Sequence, residues 1–147
     1  MGELLTATHN FGVAPTRGTT AADTFKAALY LASATINAST TVYTVTGEVS
    51  GTGYSAGGVT VTNATAPTAT NSSATAGVAY WTPSASITYT SVTLTTAFDT
   101  VLMYNSTQSN KAVAVYTFGS QTVTAGTFTL TMPSNTTTTA LLRLATT

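Results

Sequence analysis

Charge is what this sequence has least of. Only 5% of its 147 residues are charged, against about 25% in an ordinary soluble domain. Four acids (Glu3, Asp23, Glu48 and Asp99) balance four bases (Arg17, Lys26, Lys111 and Arg143), and net charge at pH 7 is zero. Four scattered bases make no basic stripe, so nucleic acid is not an expected partner. Electrostatic steering of a charged ligand is disfavoured for the same reason.

Cysteine is absent, which excludes disulfides, thiolate zinc sites and cysteine nucleophiles. His9 is the single histidine, too few for a histidine metal cluster or a well-placed Ser-His-Asp base. No apolar run approaches the roughly 18 residues of a helical membrane span. The start, Met-Gly-Glu-Leu-Leu, lacks the basic and long apolar regions of a secretory leader. The expectation is therefore no catalytic, cofactor-binding or metal-ligating residue, no cofactor, no enzyme and no membrane partner.

What the chain does have is apolar residues, 43% of the total, enough to bury a core. It also has threonine, about a quarter of the chain and far above ordinary usage. Threonine, valine and tyrosine favour strands. These residue types predict an all-β domain whose surface is made polar by hydroxyls rather than by charges. Such a surface has little electrostatic protection against association, and is expected to be covered by neighbours.

Along the chain, residues 1–20 carry Gly12, Pro15 and Gly18, show no clean period, and read as an N-terminal arm: a short strand or arm, then a loop. Residues 21–147 read as one domain. Residues 24–32 (TFKAALYLA) are apolar enough for a helix or a strand, and the all-β context favours a strand. Residues 40–49 read as a short strand or an extended segment, with Val42 and Thr44 opposed to Tyr43 and Val45. Gly51, Gly53, Gly57 and Gly58 then cluster around Tyr54, which marks a turn. Residues 59–62 resume a strand, and 63–77 form a low-complexity surface loop.

The second half is more regular. Strands are predicted over 78–82, 86–94, 98–104, 111–118, 127–132 and 139–145, with Pro133 stopping the fifth of these. Residues 98–104 and 111–118 read as a hairpin around the polar turn NSTQSN. The expected architecture is a single β-sandwich, Ig-like or jelly-roll-like, of about seven to nine short antiparallel strands.

Several residues invite a functional reading. Glu48 and Asp99 suggest an acid/base pair, but nothing in their spacing brings them together, and isolated carboxylates are the expectation. His9 is expected to be structural or exposed. The glycine cluster lacks the Gly-Lys-Ser/Thr ending of a phosphate loop and reads as a turn packing Tyr54. Trp81 with Tyr80 and Tyr89 suggests a carbohydrate-stacking platform, and core packing is the stronger reading. Asn-x-Ser/Thr sequons at Asn37, Asn63, Asn71, Asn105 and Asn135 follow from a threonine-rich composition.

Several segments in order carry a resemblance. They are residues 24–44 (TFKAALYLASATINASTTVYT), 48–61 (EVSGTGYSAGGVTV), 80–83 (YWTP), 98–123 (FDTVLMYNSTQSNKAVAVYTFGSQTV), 125–133 (AGTFTLTMP) and 140–145 (ALLRLA). Together they cover about two-thirds of the chain, and in them it resembles a family of small tailed-bacteriophage virion structural proteins. The Gly-Thr-Gly-Tyr-x-Ala-Gly-Gly and Ser-Asn-Lys-Ala-Val-Ala stretches are the most specific. The N-terminal twenty residues depart from the family's usual helical start. The resemblance implies a structural component of the particle, with no enzymatic residues to carry over.

The expected role is a capsid decoration (cement) protein bridging capsid subunits from outside the shell. Its expected partners are the major capsid protein and its own copies in a homotrimer, with residues 1–20 reaching a neighbour. A tail component (tail tip, collar or fibre base) and a host glycan- or receptor-binding module using Trp81 are the alternatives.

Overall fold

A computed structural model describes residues 22–63, 66–70 and 77–145. Seven strands are assigned among them: β1 (Phe25–Leu31), β2 (Val59–Thr60), β3 (Thr68–Thr70), β4 (Val78–Trp81), β5 (Ile87–Asn105), β6 (Lys111–Leu130) and β7 (Leu142–Ala145). They form two antiparallel sheets, ordered β2-β1-β5-β6 and β3-β4-β7. The fold is an all-β sandwich.

The apolar run of β1 is explained by its place between β2 and β5. Successive strand residues point to opposite faces, and both faces of this strand are covered. Ala27 and Leu29 enter one core while Ala28 and Tyr30 enter another. β5 follows the same division, with Val101 and Met103 on the first face and Leu102 and Tyr104 on the second. The first core takes Trp81 of β4, and Leu142 of β7 packs against it. The second is closed by Ala34, Ile36 and Tyr43 from the connection after β1.

The expectation of uniformly short strands is corrected. Residues 86–94 and 98–104 are one 19-residue strand, β5, and the two segments within 111–132 join as the 20-residue β6. The joins are pleat irregularities rather than turns. Register shifts fall between Tyr89 and Val92, Val92 and Leu94, Leu94 and Phe98, and Phe98 and Thr100. Ser91 and Ala125 take positive φ there, 53° and 46°. Such bulges bend and twist a strand without ending it.

Of the two readings of residues 40–49, a short strand or an extended segment, the strand does not form. These residues are irregular, held by isolated bridges from Val42 to Lys111 and from Glu48 to Tyr30. The expected loop at 63–77 contains β3, which pairs with β4 through Thr68–Tyr80 and Thr70–Val78. The N-terminal arm lies outside the described residues.

Candidate functional site

The glycine turn is fastened by one carboxylate. Glu48 follows Gly47, whose φ is +78°, and its backbone bridges to Tyr30. Its Oε2 accepts the Tyr43 hydroxyl at 2.6 Å. Its Oε1 accepts the Tyr54 hydroxyl at 2.8 Å and the Gly57 amide at 2.7 Å. The Tyr54 oxygen in turn accepts the Leu29 amide of β1 at 3.0 Å. Tyr104 donates to the Gly57 carbonyl at 2.8 Å, Tyr89 to the Ala27 carbonyl at 2.8 Å, and Tyr30 to the Thr44 carbonyl at 2.6 Å. Ring stacks of Tyr43 on Tyr104 (4.7 Å) and Tyr54 on Tyr89 (5.9 Å) complete the cluster.

Burial is the largest influence on these phenols and keeps them protonated. It pushes Tyr30 up to about 12. Tyr43, Tyr54 and Tyr89 are also raised, first by burial and further by the Glu48 charge. The arrangement is a neutral-donor cradle around one carboxylate, and its chemical work is to pin the turn to β1. Close packing explains the glycines. A Cβ at Gly58 would lie 1.7 Å from the Ala27 carbonyl oxygen, and one at Gly51 would lie 2.0 Å from that of Thr93.

The second feature is the open edge of the larger sheet. In the described sheet order β6 pairs only with β5, apart from the bridge and the Ala112 amide to Thr41 carbonyl bond at its start. No charged residue occurs from Ala112 to Leu142, and no proline before Pro133. Thr117, Ser120, Gln121, Thr122, Thr124 and Thr127 are exposed along it. Natural edge strands are usually blunted by lysine, proline, brevity or bulges, and beyond Lys111 this one has only the bulges near Ala125. Sequence patterning did not reveal the edge, because strand order is set by long-range pairing.

Residues singled out from sequence are dispersed. Glu48 sits in the tyrosine cradle, while Asp99 accepts the Thr100 hydroxyl at 2.7 Å. Trp81 is 2% exposed, 6.1 Å from the Phe25 ring, and its indole donates to Asn63 Oδ1 at 3.0 Å. It is a core residue and not a stacking platform. Among the sequons, Asn105 is fully buried and donates to Asp23 at 2.7 Å while accepting the Thr107 and Gln108 amides. That makes it a structural cap for the β5–β6 turn and closes it to glycan attachment in the folded state. His9 and Asn71 lie outside the described residues. Among the described residues no three His, Asp or Glu side chains are grouped to hold a metal ion.

No protein-family model, curated protein or solved structure matches the chain.

Proposed function

We propose that the chain is a structural protein of a tailed-bacteriophage virion, acting as a decoration (cement) protein that bridges capsid subunits as a homotrimer. The observation that carries this reading is the long, uncharged, hydroxyl-lined outer edge of β6. Unpaired strand backbone is a template for a strand from another chain. Contacts made by backbone and threonine hydroxyls are screened little by salt, which suits a particle that meets any ionic strength. Repetition by symmetry turns a modest contact into a durable one. The resemblance of residues 24–44, 48–61 and 98–123 to small virion proteins supports the same reading.

The test is co-sedimentation of the purified chain with phage heads that lack it. Thr122→Lys with Thr124→Lys places two charges on the exposed edge and removes no buried group. Binding is expected to fall at least tenfold, with the thermal midpoint changed by less than about 3 °C, as for a surface change. Undiminished binding by the double variant would sink the β6 contact.

A further inference from the structure

Two cavities meet at the seam between the sheets. The outer one is a groove of about 620 Å³ between residues 112–117 of β6 and residues 140–143 leading into β7. The inner one is a lobe of about 250 Å³ walled by apolar side chains, among them Val101, Met103, Phe118, Leu130 and Leu141. Tyr116, Thr117 and Leu141 line both, which sets the two side by side. β6 and β7 are the terminal strands of their sheets, and among the described residues no strand closes the seam between them.

The polar groups of this space are few and one-sided. Tyr116 pairs with Val101 across β5 and β6, and packs against the first core. Its hydroxyl is buried and has no hydrogen-bond partner among the described residues. A buried hydroxyl without a partner is unfavourable, and a ligand that supplies an acceptor removes the penalty. Burial raises this phenol above its ordinary value, so at neutral pH it keeps its proton and can donate. Arg143 is exposed, and it is the one charged residue lining either cavity among the described residues. Its guanidinium has no hydrogen bond or ion pair there. The seam thus offers an idle cation and an idle donor, with no acid beside them, next to an apolar lobe.

We propose that this seam binds an amphipathic carboxylate, a straight-chain fatty acid whose carboxylate takes Arg143 and the Tyr116 hydroxyl and whose alkyl chain fills the inner lobe. Guanidinium suits carboxylate because its donors form a planar fork that matches the two oxygens. An apolar cavity with a few placed polar groups is the usual form of a small-molecule site, and the groove's volume lies in the usual range. The chain carries the affinity through apolar burial, and the head group fixes its direction. This site goes beyond the virion reading and is independent of it, since that reading places its contact farther along β6, at Thr122 and Thr124.

The test is a nuclear magnetic resonance titration of the full-length chain with sodium octanoate. Saturable amide shifts are expected at residues 112–117 and 141–143. Affinity should fall about fourfold for each methylene removed, through hexanoate to butanoate. The alcohol 1-octanol, with the same chain and no charge, should bind at least fivefold more weakly. Arg143→Gln should weaken octanoate at least fivefold and Tyr116→Phe at least threefold. Arg143 is exposed and the Tyr116 hydroxyl is unpaired, so neither change removes a bond that holds the fold. No saturable shift up to about 10 mM, where even weak binding registers, would overturn the proposal. So would shifts centred elsewhere, such as at the exposed Val42 and Val45, an affinity independent of chain length, equal affinity for 1-octanol, or undiminished binding by either variant.

Discussion

The Tyr54 hydroxyl joins Glu48 to the first strand: it donates to the carboxylate at 2.8 Å and accepts the Leu29 amide at 3.0 Å. One side chain thus satisfies a buried backbone donor and a carboxylate, and ties a glycine-rich turn to the centre of the larger sheet. Tyr54→Phe leaves the Leu29 amide unpaired and removes one of three donors from Glu48. The expected loss is about 1–3 kcal/mol of unfolding free energy, read from urea denaturation. A loss below about 0.5 kcal/mol would place the variant among ordinary surface changes and show that the link is dispensable.

The glycine turn makes a paired prediction. Gly58 has φ +70° and no room for a Cβ, while Gly119 on the β6 edge has nothing within 4 Å of one. Gly58→Ala should destabilise by at least about 2 kcal/mol, since the left-handed conformation alone costs roughly 1–2 kcal/mol. Gly119→Ala should stay within about 0.5 kcal/mol. Thermal unfolding of both variants checks the contrast, and equal effects would contradict it.

High pH should loosen the fold. The Tyr30 phenol is raised from 10.0 to about 12, chiefly by burial. Between those values the unfolded chain loses the proton and the folded chain keeps it, so unfolding is favoured as pH rises. Stability is therefore full below pH 10 and falls from pH 10 towards pH 12. Tyr43, Tyr54 and Tyr89 are shifted in the same direction and deepen the fall. Phenolate absorbance should appear together with loss of structure above pH 10. A smooth titration on an intact fold would contradict the buried cluster.

Trp81→Ala should act on folding and not on a ligand. Its ring packs on Phe25 and is 2% exposed, so truncation should cost about 3–5 kcal/mol, as for other buried aromatics. Denaturant unfolding checks this. A well-folded variant that had lost only glycan binding would contradict it.

The strongly apolar strands were legible from the residues alone. Residues 24–32, 98–104 and 111–118 fall on β1, β5 and β6, because apolar patterning records burial directly. The continuity of β5 through Thr95, Thr96 and Ala97 was not legible. Those residues carry little apolar signal, and the strand runs through them between the flanking pairs Leu94–Val123 and Phe98–Gln121. Residues 40–49 left a strand and an extended segment both open. Their alternation is real, but Tyr43 turns in to meet Glu48, and Gly47 takes a conformation that breaks a strand. The cradle itself was half visible, as glycines around Tyr54. Its acceptor was not, since Tyr43 and Tyr54 meet Glu48 only when the turn folds, and Tyr30, Tyr89 and Tyr104 join the cluster from β1 and β5 through backbone carbonyls.

We propose a place for this chain on the head of a phage particle. Immunogold labelling of intact particles from the source lysate, with antibody raised against the chain, tests it most directly. Gold distributed over the head is the expected result. Gold confined to the tail would contradict the decoration role, and particles whose mass spectra lack the chain altogether would contradict the virion assignment.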